Sequence, residues 1–301
     1  MSTAPTTLAA RLASGPPLVL DGATGTELER LGIRSTLPLW SAHALLEAPQ
    51  AVLQVHRAYI EAGAEVLTAN TFRTQRRALA RGHHGERARE LTGFAVDLAR
   101  RALADVARPV WVVGSAPPLE DCFRPDLVPD DDALAREHAE HAAHLVAAGV
   151  DAILAETHHT VREATAATRA AGEAGAAVLV SFTCDARGRL LSGESLESAI
   201  AGVAPFGPLA VGVNCLPPAA VPRCLAALRA CGLPFLVYAN GGGSDAAGRF
   251  LAHEGEAPEA FAAHAHRWCE AGARAVGGCC GTTADHVECI AAVCSQRAAP
   301  R

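Results

Sequence analysis

The 301-residue chain has no run of about 18 apolar residues, the length a helix needs to cross a bilayer. Its first fifteen residues hold one arginine and no apolar core, so no secretory signal is expected there. Basic residues are outnumbered by acidic ones, 26 to 32, and the longest block of one sign is Asp130 to Asp132. Neither the basic stripe of a nucleic-acid binder nor the basic amphipathic helix of a membrane-surface protein is present. Aromatic residues are scarce at 4%. Ten cysteines occur, but no CxxC pair and no finger-like spacing, which argues against a structural zinc finger. The expectation is a cytoplasmic, reduced protein with small-molecule partners, whose cysteines are either packing residues or metal and redox chemistry. Cys122, Cys184, Cys224, Cys231, Cys269, Cys289 and Cys294 are assigned to packing or surface.

What is present is half hydrophobic and rich in Ala, with 27 Gly. After a polar leader over 1–16, eight short apolar runs follow one another at 18–21, 65–71, 109–115, 152–157, 177–183, 209–215, 235–241 and 275–280. Between them helical spacing is expected at 40–63, 86–106, 132–149, 161–174, 196–203, 219–230 and 258–271, with a last helix at 284–293. The runs are apolar on both faces, as in parallel strands covered on both sides. An eight-fold alternation over this length predicts a single-domain (β/α)8 TIM barrel, with a doubly wound sheet as the structural alternative. The recurring phrases EAGAE (61–65), AAGVD (147–151) and EAGAR (270–274) read as glycine-ended helices feeding strands two, four and eight. The loop 116–130, with four of the 18 prolines, reads as a lid or as a surface excursion.

In a barrel, chemistry gathers at the C-terminal ends of the strands. There stand Asp21, Asn70 and Thr71, Glu156, Asn214 and Cys215, Asn240, and finally Cys279 and Cys280 inside GGCCG. Neighbouring side chains on a strand point to opposite faces, so adjacent thiols converge only where the backbone turns, and the flanking glycines permit such a turn. Two buried core cysteines are the plain alternative. A third thiol decides between them: strands six and eight flank strand seven, which brings Cys215 beside Cys279 and Cys280. Three thiolates with an open fourth position describe a catalytic zinc site. A coordinated thiol is deprotonated outright, and lowering a substrate thiol by two pH units favours its nucleophilic form by about 2.7 kcal/mol. Three thiolates also leave a negative centre that attracts a cationic electrophile, so alkyl transfer to sulfur is the economical chemistry. Asp21 and Glu156 would face the same mouth. A glycosidase pair is one reading of them and a turn-capping role another; beside a thiolate-rich metal they fit an ammonium group better.

At these residues the chain resembles the homocysteine S-methyltransferase family, through DGATGTELERLG (21–32), LWSA (39–42), AGAEVLTANTF (62–72), AET (155–157), GVNC (212–215), YANGG (238–242) and GGCCGTT (277–283). The resemblance implies a zinc-dependent barrel that methylates L-homocysteine to methionine, with zinc on Cys215, Cys279 and Cys280 and the amino group on Asp21 and Glu156. It places the substrate carboxylate near the backbone of Gly22 or Thr71 and counts Asn214 among the substrate contacts. Folate- and cobalamin-dependent relatives carry further domains. Betaine-using relatives carry aromatic residues where this chain has Gln75 and Thr157, so the quaternary-ammonium cage is incomplete there and a sulfonium donor is expected, S-methylmethionine or S-adenosylmethionine. His158 and His159, where the family often has Pro, read as a solvated loop rather than donor contacts. His138, His141 and His144 read as the polar face of a helix.

Overall fold

The structure, a computed structural model, describes residues 7–244, 250–251 and 255–296; the first six residues of the leader lie outside it. Eight parallel strands alternate with helices: β1 Leu18–Val19, β2 Val66–Ala69, β3 Trp111–Ala116, β4 Ala152–His158, β5 Val178–Phe182, β6 Ala210–Asn214, β7 Phe235–Ala239 and β8 Ala275–Gly278. They pair in sequence order from β2 to β8, and β8 pairs with β1. A parallel bridge from Leu20 to Val66 joins β1 to β2, with the Glu65 amide donating to the Val19 carbonyl at 2.8 Å. The doubly wound alternative is thereby excluded, because an open sheet leaves its two edge strands unpaired.

The strands form because Val, Leu and Ile fill both faces: every residue of β3 to β8 is buried. The inner face continues into Leu8 and Leu12 of α1 (Leu8–Ala13), which pack with Leu18, Val66 and Trp111. The leader thus carries a helix over the N-terminal end of the barrel, an element its Pro- and Thr-rich start concealed. The outer face packs against α4 (Pro49–Glu61), α6 (Ala88–Ala102), α7 (Asp131–Ala147), α8 (Val161–Glu173), α9 (Leu196–Val203), α11 (Pro258–Glu270) and α12 (Ala284–Gln296). The three recurring phrases do end helices: Gly63, Gly149 and Gly272 have φ of 106°, 80° and 104°, the left-handed region that glycine enters without strain.

The expected helix over 40–63 is two helices, α3 (His43–Glu47) and α4. Ala48 leaves helical geometry at φ −145°, because the residue before a proline is disfavoured there, and Pro49 then opens α4. Two short helices went unread, α2 (Thr24–Arg30) and α5 (Arg76–Arg81), and α10 (Leu225–Ala230) is shorter than expected. A small antiparallel pair, Gly243–Ser244 with Phe250–Leu251, follows β7. Among the described residues no helix is long and apolar enough to cross a membrane, and the ten cysteines are all free of disulfides.

Candidate active site

The three thiols meet. Cys215, Cys279 and Cys280 place their sulfurs within 4.8 Å of one another, with Cys215 Sγ 3.9 Å from Cys280 Sγ. Cys215 follows β6 at φ 55°, an uncommon conformation for a non-glycine residue. It is held there by its amide on the Tyr238 carbonyl at 3.2 Å and by Thr183 Oγ1 donating to its own carbonyl at 3.2 Å. Strand β8 ends at Gly278, so Cys279 and Cys280 lie in the turn beyond it and strand alternation does not separate them. Of the flanking glycines only Gly281 has positive φ, 81°. Gly277 and Gly278 are needed for close approach: a side chain would meet Leu20 at the first and Thr282 at the second. The Cys279 amide donates to the Ala239 carbonyl at 2.7 Å, and the Cys280 carbonyl accepts the Gly241 amide at 2.9 Å. Hydrogen bonds from Cys215 and then Cys279 hold the Cys280 thiol well below its ordinary value. Three converging sulfurs fit a soft divalent cation with an open position.

Two carboxylates face the same cavity. Asp21 accepts the Thr68 amide at 2.7 Å and the Thr68 hydroxyl at 2.9 Å, yet burial pushes its pKa up to about 7. Glu156 accepts from Ser115 Oγ and from the Tyr238 hydroxyl at 3.1 Å. Burial, and then the charge of Cys279, push it up to about 8. No basic side chain among the described residues pairs with either, so the charge of neither carboxylate is met by the protein.

Not every expected contact reaches the cavity wall. Gly22 does. Asn214 instead clamps the end of β4, its Oδ1 accepting the Thr157 amide at 3.0 Å and its Nδ2 donating to Thr157 Oγ1 at 2.8 Å. These bonds hold Thr157 at φ 60°. Thr71 donates its hydroxyl to the Ser115 carbonyl at 3.0 Å, and its amide already donates to the Ala69 carbonyl at 2.6 Å.

The cavity, about 440 Å³, is walled on one side by the loop after β3, which contributes Asp121, Cys122 and Phe123. Cys122 and Cys184, assigned above to packing or surface, line this cavity. The loop is tied down: the Leu119 amide donates to Glu163 at 2.8 Å, and Glu120 accepts from Arg77 at 3.0 Å and Arg81 at 2.7 Å. Trp40, Phe72 and Phe123 give the cavity an aromatic lining that positions 75 and 157 do not disclose: Gln75 is buried away from the cavity, while Thr157 lines it. Ser115 and Tyr238, the partners of Glu156, were also unread, although both stand at strand ends.

The histidines correct the sequence reading. His158 and His159 are fully buried, and His138 and His141 nearly so. Strand β4 extends through His158, and α7 and α8 cover the outside. His141 Nε2 donates to the Ser115 carbonyl at 3.0 Å, and His138 Nε2 lies 3.4 Å from Glu163 Oε1. Burial holds His158 down at about 3 and His141 at about 4, so both are neutral at pH 7.

Three thiols and two carboxylates without a basic partner at the C-terminal ends of the strands suit the chemistry of a thiol-alkylating transferase, and the chain is a methyltransferase by its relatives. The homocysteine S-methyltransferase family model matches residues 18–294. A homocysteine S-methyltransferase of Escherichia coli (strain K12) is 34% identical over 286 residues, 88% of this chain and 91% of that protein. The homocysteine S-methyltransferase YbgG of Bacillus subtilis (strain 168) is 29% identical over 296 residues, 92% and 94% of the two chains. The crystal structure of the E. coli homocysteine methyltransferase MmuM in its metallated form matches with a TM-score of 0.81 at 29% identity, over 94% of this chain and 98% of that one. The chain belongs to the homocysteine S-methyltransferase family, enzymes that transfer a methyl group to homocysteine.

Proposed function

We propose that this protein transfers a methyl group from a sulfonium donor, S-methylmethionine or S-adenosylmethionine, to the thiol of L-homocysteine, with zinc held by Cys215, Cys279 and Cys280. The observation that carries the reading is the meeting of three sulfurs within 4.8 Å with two buried carboxylates on one cavity. When bound, zinc supplies the Lewis acidity that keeps the substrate thiol deprotonated at neutral pH. The protein does the rest by placement. Asp21 and Glu156 take the ammonium of the amino acid, and Ser115 and Tyr238 orient Glu156. Trp40 gives the cationic donor a face of negative quadrupole, while the Phe72 ring carries the Arg73 guanidinium, 5.4 Å from its centroid. The homocysteine sulfur forms a bond to the donor's methyl carbon as the donor sulfur leaves with the bonding pair, a neutral thioether. No general base is needed in that step.

The test is an assay of the zinc-loaded protein with homocysteine against S-methylmethionine, S-adenosylmethionine, betaine and a methylcobalamin protein, alongside metal analysis. About one zinc per chain and turnover with a sulfonium are expected. Turnover that survives complete zinc removal sinks the zinc reading, and turnover with betaine alone sinks the donor.

Ammonium binding also carries a pH signature. Both carboxyls are raised above their unfolded values, so their contribution to folding stability is fully present below about pH 4 and is lost as pH rises through about 7 to 8. A ligand ammonium needs the ionised forms, so its affinity runs the opposite way. Methionine, which has no thiol proton to lose, is expected to bind on the order of a hundredfold more weakly at pH 6 than at pH 8. Calorimetry in buffers of different ionisation enthalpy checks this, since net proton release at pH 6.5 must accompany binding.

A further inference from the structure

We propose that Arg73 is the carboxylate anchor of the cavity, a fixed guanidinium that binds the carboxylate of an amino-acid substrate and selects substrates that carry one. The proposal rests on the amino-acid methyl-transfer reading above. Arg73 is 5% exposed and lines the same cavity as Asp21, Glu156 and Cys279. Its Nη1 donates to the Glu120 carbonyl at 3.0 Å, while its Nε has no partner. Among the described residues no carboxylate pairs with it, although its neighbours Arg76, Arg77 and Arg81 each have one, on Glu140, Glu137 and Glu120. The three acids of the cavity are bonded elsewhere, Asp21 to Thr68, Glu156 to Ser115 and Tyr238, and Asp121 to the Phe123 amide at 2.9 Å.

A guanidinium does not shed its proton in a protein, and a buried charge is unfavourable until an opposite one completes it. A carboxylate matches the fork of donors that Arg presents. Of the two backbone positions expected to meet the carboxylate, Thr71 is spent, its amide donating to Ala69, while Gly22 stands at the cavity wall as a neutral donor without the charge Arg73 carries. An α-amino acid then binds at both ends: its ammonium on Asp21 and Glu156, its carboxylate on Arg73. Both reactants carry such a carboxylate, the acceptor homocysteine and the sulfonium amino acid that donates the methyl group.

The experiment is calorimetry on the zinc-loaded protein with two ligand pairs. One is methionine against 3-(methylthio)propylamine, which lacks the carboxylate; the other is S-methylmethionine against (3-aminopropyl)dimethylsulfonium. In the unmodified protein the carboxylate is expected to strengthen binding about a hundredfold in the pair whose site Arg73 serves. Arg73→Met removes that preference and leaves the decarboxylated ligand's affinity unchanged, and Arg73→Lys restores part of it. A loss confined to the first pair assigns the acceptor site; a loss confined to the second assigns the donor site. If Arg73→Met weakens both members of each pair equally, or weakens none, the proposal is overturned and Arg73 only pins the loop through Glu120. These affinities are read without turnover, so a protein that methylates nothing would sink the proposed function and still decide this one.

Discussion

Replacing Cys279 with alanine is expected to remove zinc and methyl transfer together while leaving the barrel folded. The sulfur lies beyond β8 in a turn whose backbone is held by bonds that do not involve it: the Cys279 amide to Ala239, and Thr282 Oγ1 to the Cys279 carbonyl at 2.7 Å. Loss of the side chain therefore leaves the turn in place. Zinc affinities of about 10–16 kcal/mol shared over four ligands put one ligand at about 2.5–4 kcal/mol, roughly a hundredfold to a thousandfold in affinity. Metal analysis after gel filtration against a weak chelator, with far-UV circular dichroism on the same sample, checks the two halves of the statement. A variant that keeps stoichiometric zinc would show that two thiols and another ligand suffice.

Glu156→Gln is expected to do the reverse, keeping the metal and weakening the amino acid. The amide is nearly isosteric and retains partners for Ser115 and Tyr238, but it has no charge to offer an ammonium. Removing one partner of a buried charge-assisted pair costs about 2–4 kcal/mol, so KM for homocysteine should rise between about thirtyfold and a thousandfold. Zinc content should not change. The dependence of methionine affinity on pH should also flatten, because only Asp21, near 7, is left to titrate in that range. An unchanged KM would show that the ammonium sits elsewhere, and with it the role of the paired carboxylates would fall.

Much of this site is visible in the order of residues because a barrel repeats itself. Once eight apolar runs are counted, the residues that end each run stand at the mouth, and Asp21, Glu156, Cys215, Cys279 and Cys280 are found there by position. What position does not disclose is whether a side chain at the mouth points into the cavity or back into the protein. Asn214 and Thr71 stand at strand ends like the cysteines, yet their polar atoms bond to Thr157 and Ser115. His158 and His159 adjoin Glu156 in the chain and look like loop residues, but β4 carries the first into the sheet and the packing around it buries both.

The sequence by itself determined the eight-fold alternation and which thiols and acids stand at the strand ends, since hydrophobic periodicity and residue order are local properties written in the chain. The closing of the sheet and the meeting of the three sulfurs belong to the tertiary structure. Only the tertiary structure decided the partners. Tyr238 reaches Glu156 across 82 residues, the loop after β3 walls the cavity through ion pairs to α5, and Arg73 is left without a carboxylate while its three arginine neighbours have one. The physical reason is that burial and charge compensation are set by what distant segments bring against a residue. At Arg73, Asp21 and Glu156 distant segments bring hydrogen-bond partners but no opposite charge, and that missing charge is what the proposed substrate supplies.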